Sequence, residues 1–551
     1  PTHTHTLYLS SAASDVYKRQ PQCEPRWTSL TAIPGRSFAY GLRRLPRADN
    51  VIGTRKPFSV REVFMSKDKA EVGNLQDLLS RVGAGLDEFL KFEHPDALVN
   101  EGTWRTALDQ PLPRYGVGID EVARELVELV IPNGSQVCKP GFTAFITTGA
   151  TSASTLASTA ASIASPQRYT HTAFNFIEEL SLEWLAQMCG LGNMKGIYSS
   201  GGSVANLVGL GAARQYAFEK LGHDPARDGV NRTVSVYASS ECHHTIQRAG
   251  GILGIGRRAI KPIACDEQGR MRVDALQAAI DQDLHDEILP MAIVANAGTT
   301  NRGAIDPLKS IGEIAQGHGI WLHVDGAYGL PGILDERLGH CYEGLDLVDS
   351  IIVDPHKWLG ASVGVAATFV NDRNLLERAF TQEPADYLEG SVDDIVTENA
   401  RLEHSLDDFG IRYFNYGVEL SAPCRGIVVW ALIREIGVEG MRERIVRHND
   451  MARELAEICK QHPRLELLLE PNLSVCCFRY VGPQIGDLDR LNQRIHRRLV
   501  RENIYMPSTT RINGQLALRP CFLGARTDHP QVDGLIQAVI RIGDALVAEQ
   551  A

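Results

Sequence analysis

No stretch of this 551-residue chain approaches the ~20 consecutive apolar residues that a bilayer-crossing helix needs. The strongest run, Gly426 to Ile433, is far too short, so no membrane association is expected. Positive charge is scarce too. A formal net charge of −11, with no basic stripe in the body of the chain, argues against non-specific attraction to nucleic acid or anionic lipid and leaves a small molecule as the expected partner. The eleven cysteines never stand at Cys-x-x-Cys spacing, and their odd number suits reduced thiols in a cytoplasmic protein better than a disulfide framework. Internal repeats and low-complexity tracts are absent, as is the Gly-Lys-Ser/Thr of a lysine-bearing phosphate loop. What is present is length enough for two or more domains with a large buried core.

The first 64 residues are compositionally distinct. They carry ten Lys or Arg against four acids, a balance of +6 that leaves −17 on the rest. The first methionine is Met65, and Pro-Thr-His-Thr-His-Thr at the start is unlike a folded segment, so residues 1–64 are expected to be a non-native or disordered extension. An Arg-rich, acid-poor transit peptide is the competing reading. Residues 65–130 show a helical pattern, with Leu75, Leu78, Leu79, Val82 and then Val122, Leu126, Leu129 at three- and four-residue intervals. Within 131–430 short β-rich runs alternate with longer amphipathic segments: Val234 to Tyr237, Met291 to Val294, Ile320 to Val324, Ile351 to Val353 and Val363 to Val370. That alternation predicts an α/β unit with a mainly parallel central sheet. Residues 431–551 read as a smaller α+β domain, with strand-like Ser474 to Tyr480 and Gln515 to Arg519 among helices.

Two runs end in unusual chemistry. Ser350 to Gly360 reads Ser-Ile-Ile-Val-Asp-Pro-His-Lys-Trp-Leu-Gly, a β-branched stretch that stops at a Pro-marked turn bearing Lys357. Ile320 to Val324 delivers Asp325 in His-Val-Asp-Gly-Ala-Tyr. A buried amine and a buried acid from neighbouring strand ends are what a pyridoxal phosphate enzyme needs: one to hold the aldehyde as a Schiff base, the other to keep the pyridine nitrogen protonated. An ordinary ion pair between Asp325 and an arginine is the alternative.

Three further motifs lie on the same region. Tyr198-Ser-Ser-Gly-Gly-Ser-Val-Ala-Asn sits between a strand and a helix, where loop amides and the helix dipole suit a phosphate, although a plain loop with an N-cap also explains it. Glu241-Cys-His-His follows the run from Val234; an imidazole there suits stacking on a cofactor ring, and a structural histidine is the alternative. Zinc is not expected, because consecutive ligands splay apart and no second pair stands at a metal-like spacing. In Asn296-Ala-Gly-Thr-Thr-Asn-Arg-Gly-Ala-Ile-Asp306, small and hydroxylic residues are placed to line a ring edge, with Asp306 expected to cap the next helix.

With these residues in view, the chain from about Leu75 to Leu546 resembles the group II pyridoxal-phosphate-dependent amino-acid decarboxylases. The resemblance rests on Asp-Pro-His-Lys-Trp-Leu, His-Val-Asp-Gly-Ala-Tyr, the Gly-Gly-Ser-x-x-Asn loop and a histidine before x-x-x-x-Arg-Ala. It implies a fold type I, pyridoxal-phosphate-dependent transferase-like architecture, a homodimer with sites at the interface, and release of an amine and CO2 from an L-amino acid. It further implies that Lys357 holds the coenzyme, Asp325 pairs with its ring nitrogen, His243 stacks on the ring, Gly202 with Ser203 binds its phosphate, and Thr300 and His356 line it. A family tyrosine about thirty residues beyond the lysine matches Tyr387, which implies a proton donor to the substrate carbon. Two departures stand out. Of an Arg-rich, Lys-containing segment before Trp430 only Arg425 remains, which puts its part in carboxylate binding or subunit packing in doubt, and Phe145-Ile-Thr-Thr-Gly resembles the glutamate-type pocket more than the aromatic one. Rival readings are another reaction on the same coenzyme (transamination, aldehyde synthesis or aldol-type cleavage) and a cofactor-free scaffold with a decayed site.

Overall fold

The computed structural model describes residues 74–168, 172–381, 410–482 and 486–549. The extension 1–64, Met65 and Tyr387 lie outside them. Twelve strands form two sheets among the described residues: β1 (Phe142–Thr143), β2 (Lys195–Ser199), β3 (Val234–Ser239), β4 (Ile260–Ile263), β5 (Leu289–Asn296), β6 (Trp321–Asp325), β7 (Ser350–Val353), β8 (Ala366–Val370), β9 (Leu465–Leu469), β10 (Cys477–Tyr480), β11 (Met506–Ile512) and β12 (Gln515–Arg519).

The seven-stranded sheet runs β2-β8-β7-β6-β5-β3-β4. From β4 to β7 every pairing is parallel, and β8 is antiparallel to both β7 and β2. β3, β6, β7 and β8 are buried along their whole length, as expected of strands covered by helices on both faces. The parallel run sets the site, because ligands of such sheets gather beyond the carboxyl ends of the strands. Register aligns Asn296 of β5 with Asp325 of β6, and Asp325 with Ile352 of β7, so the loops that follow emerge side by side.

The second sheet runs β1-β11-β12-β10-β9 and is antiparallel apart from the β1–β11 pair. The helix Leu488–Glu502 covers it with Leu491, Ile495 and Leu499 at four-residue spacing; its first turn is capped by Asp487, which accepts from the Arg490 amide at 2.9 Å. Two hydrophobic cores result, and the helix Gly426–Gln461 serves both: Val428 to Leu432 pack in the large one and Met451 to Cys459 in the small one. That helix kinks at Gly437, whose φ of 67° is the left-handed region glycine tolerates. A large unit 131–430 and a smaller unit 431–551 are a proposal, and the large core reaches across that boundary to Met441, Ile445, Leu473 and Leu523.

Strand extents differ from expectation at both ends of the molecule. In Val363–Val370 the strand begins only at Ala366, and in Ser474–Tyr480 only at Cys477, with Val475 joined to Cys521 by an isolated antiparallel bridge. β1, β4, β9 and β11 were not legible. β1 is two residues long, β4 is a four-residue edge strand interrupted by Pro262, β11 carries Pro507 and a polar run from Ser508 to Arg511, and β9 reads Leu-Glu-Leu-Leu-Leu without alternation.

Candidate active site

A cavity of about 530 Å³ opens beyond the carboxyl ends of the parallel strands, and Gly202, Ser203, His243, Thr300, Asp325, His356 and Lys357 all line it. Residues more than 150 positions apart in sequence thus converge on one space.

At one wall the helix Gly202–Glu219 begins directly after Gly201, whose φ of 149° suits glycine. The first amides of a helix have no intrahelical acceptor and carry the positive end of its dipole, so those of Gly202 and Ser203 suit a phosphate. A Cβ on Gly202 would stand 2.6 Å from Asp354 Oδ2, which is why this wall comes so close to the β7 turn.

Asp325 ends β6 with only 8% exposure. Its Oδ2 accepts from Asn206 Nδ2 at 3.0 Å and its Oδ1 from the Ala327 amide at 3.1 Å, and it makes no ion pair among the described residues. A carboxylate held by two N–H donors yet lacking a counter-charge is suited to a cationic ring nitrogen. Lys357 lies three residues into the turn after β7, where its amide donates to Asp354 O at 2.8 Å. The amine is half-buried rather than buried: its side chain is 23% exposed, with Nζ 3.1 Å from Asp354 Oδ2. Asp354 is itself buried, and its Oδ1 has no partner among the described residues. His356 turns Nδ1 to Val365 O at 2.6 Å. Behind the turn, Trp358 donates from Nε1 to His448 Nδ1 at 3.0 Å, fastening the lysine-bearing loop to the long helix.

His243 follows β3 with Nδ1 3.0 Å from Thr245 Oγ1. Burial lowers its pKa below the usual histidine range, against the opposing pull of Asp325. Thr300 is exposed on the rim, and its carbonyl accepts from Arg519, a buried cation of β12 that also donates to Phe145 O at 3.0 Å.

The expectation for Asp306 is corrected. Asp306 does not cap the next helix: it is buried and accepts instead from the amides of Met271 and Asn296 at 2.6 and 2.7 Å, and burial pushes its carboxyl up to about 6. Arg425, whose part in carboxylate binding or subunit packing the sequence leaves in doubt, is engaged within its own chain. It is buried in a bidentate pair with Glu419, both contacts 3.0 Å, while Nε donates to Gly364 O at 2.8 Å. Its role is to hold a loop. No group of three or more His, Cys, Asp or Glu suited to a metal occurs among the described residues, and among them no helix is long and apolar enough to cross a membrane.

Sequence reasoning passed over Asn206, Thr245, His323 and Asp354. A signal existed for two of them. His323 precedes Asp325 by two on a strand and so shares its face, and Asn206 closes the Gly-Gly-Ser-x-x-Asn motif one helical turn after Ser203.

His323 and His448 are fully buried, and burial pushes their pKa values down to about 4 and about 3 from 6.5. The fold therefore favours their neutral forms. The stability they contribute is complete above about pH 6.5 and is lost as pH falls through that value toward 4, at ~1.4 kcal/mol per unit for each residue. Urea midpoints are expected to fall steadily from pH 7 to pH 5, and less steeply in His448→Gln. Parallel slopes in the two proteins would contradict this.

The amides at the helix start, the acid without a counter-charge and the half-buried amine fit the phosphate, ring nitrogen and aldehyde of pyridoxal phosphate. Comparison with known proteins agrees. Residues 103–481 match the family model described as the pyridoxal-dependent decarboxylase conserved domain. An aromatic-L-amino-acid decarboxylase of Bacillus atrophaeus is 28% identical over 464 residues, covering 82% of this chain and 91% of that protein. A 4-hydroxyphenylacetaldehyde synthase of Rhodiola rosea is 25% identical, covering 82% and 90%. In fold, the crystal structure of Oryza sativa TDC with PLP and tryptamine matches with a TM-score of 0.76 at 23% identity, over 90% of this chain and 100% of that one. The chain belongs to the pyridoxal-dependent decarboxylases and is a pyridoxal-phosphate-dependent enzyme of amino-acid metabolism.

Proposed function

We propose that the protein removes CO2 from an L-amino acid and releases the corresponding amine. The observation that carries this reading is the convergence of Lys357, Asp325 and His243 on one cavity. When bound, pyridoxal phosphate supplies the electron sink for the bond that loses CO2. The chain's residues divide the remaining work. Lys357 Nζ is the nucleophile that would hold the coenzyme through its aldehyde carbon. Asp325 would receive the ring N–H, the Gly202 and Ser203 amides would take the phosphate, and Thr300 and His356 would line the coenzyme. His243 would stack on the ring and meet the substrate carboxylate. Tyr387, thirty residues after the lysine and outside the described residues, is assigned the proton returned to the substrate carbon.

Phe145 and Val363 line the cavity yet are 67% and 77% exposed, an apolar rim left uncovered by the single chain. This supports a homodimer in which the second subunit closes the site.

The test is to incubate the purified protein and its coenzyme with individual L-amino acids, measuring CO2, amine, aldehyde and peroxide. Amine equimolar with CO2 is expected for at least one, from a preparation that sediments as a dimer. Aldehyde, ammonia and hydrogen peroxide formed at the expense of oxygen would instead support the activity named for the Rhodiola relative.

A further inference from the structure

His323 sits at 0% exposure in the middle of β6 and has no part in the roles above. A buried imidazole needs a partner at each nitrogen. Its Nδ1 is 2.8 Å from Ser350 Oγ, and its Nε2 is 2.8 Å from Asn206 Oδ1. The ring fits only because residue 209 is glycine: a Cβ there would lie 2.4 Å from its Cε1.

The direction of every hydrogen bond in this cluster can be worked out. The Asn206 amide must turn Nδ2 toward Asp325, because the reverse would set its oxygen against a carboxylate. Asn206 Oδ1 therefore faces His323 and can only accept, so His323 carries its hydrogen on Nε2. Burial holds that ring neutral, so Nδ1 accepts from the Ser350 hydroxyl. Ser350 Oγ in turn accepts from Trp321 Nε1 at 2.8 Å. On the other side, the second hydrogen of Asn206 Nδ2 goes to Thr245 Oγ1 at 3.2 Å. Among the described residues His243 Nδ1, at 3.0 Å, is the one acceptor within reach of the Thr245 hydroxyl hydrogen, so Thr245 donates to it. His243 Nδ1 is then an acceptor, and the neutral ring bears its hydrogen on Nε2, which has no partner among the described residues.

We propose that the chain Trp321–Ser350–His323–Asn206–Thr245–His243 is a positioning relay that fixes His243 as the Nε2–H tautomer, making it a hydrogen-bond donor toward the substrate carboxylate. Asn206 is its junction, since one amide orients both the acid at the ring nitrogen and, through Thr245, the imidazole. The consequence for catalysis rests on the decarboxylation reading above; the hydrogen positions do not.

Neutron diffraction from deuterium-exchanged crystals of the coenzyme-loaded protein reads the relay directly. Deuterium is expected on Nε2 of both His243 and His323 and on neither Nδ1; deuterium on Nδ1 of His243 would overturn the proposal. A double-mutant cycle tests its use. Thr245→Val is expected to lower kcat about tenfold, with Thr245→Ser recovering most of that loss, and to cost nothing further in a His243→Gln background. An equal loss in both backgrounds, the mark of general loosening, would also overturn it. If no amino acid is turned over at all, the functional reading fails while the neutron result still decides the relay.

Discussion

Lys357→Ala is expected to abolish covalent retention of the coenzyme and to lower amine formation by at least about a thousandfold, roughly 4 kcal/mol of transition-state stabilisation. The reason is local. Among the residues on the cavity wall, only Lys357 brings a primary amine to the end of β7, and Asp354 Oδ2 at 3.1 Å keeps it at the head of the turn. Truncation also leaves the buried Asp354 without its cation, a stability cost that by itself lowers activity. Lys357→Arg separates the two effects, because a guanidinium retains the charge beside Asp354 but stays protonated and is not a nucleophile. Both variants are expected to lose the coenzyme's yellow colour on dialysis, and after borohydride reduction and denaturation neither chain should gain coenzyme mass. Colour and mass retained by the arginine variant would move the attachment point elsewhere.

The sequence exposed the catalytic edge of the fold because its signals are local. Parallel strands buried on both faces read as short apolar runs, and a Lys, an Asp or a His at the end of such a run stands out against the cost of burying it. For that reason the segments around β3, β5, β6 and β7 were legible, along with Lys357, Asp325 and His243, which the fold brings to one cavity. What stayed hidden depends on partners distant in sequence. Asp306 looks like a helix cap until Met271, 35 residues earlier, is seen to donate to it. The part of Arg425 stays open until the carbonyl of Gly364, 61 residues earlier, is seen to accept from it. Likewise the half-buried state of Lys357 follows from an open cavity mouth that no periodicity encodes.

Asp325→Asn is expected to weaken coenzyme binding at least tenfold and to lower amine formation about a thousandfold. The substitution preserves volume but changes the chemistry of both faces of the group. Toward the protein, Asn206 Nδ2 and the Ala327 amide are donors at 3.0 and 3.1 Å, and an asparagine can offer an acceptor to only one of them without setting N–H against N–H. Toward the cavity, a neutral amide oxygen still accepts a hydrogen bond from a pyridine N–H but no longer favours the charged ring, and the difference between a charged and a neutral partner is worth about 1–3 kcal/mol in binding. The larger loss is expected in turnover, since a charged ring nitrogen would be the electron sink that the proposed loss of CO2 needs. A coenzyme analogue methylated on that nitrogen carries a permanent positive charge and has no need of the acid. Reconstituted with it, the Asp325→Asn variant should regain a large part of its turnover, whereas Lys357→Ala, which lacks the amine instead, should gain nothing. Equal turnover of Asp325→Asn and the unmodified protein with the ordinary coenzyme would show that the buried charge at the end of β6 serves packing alone.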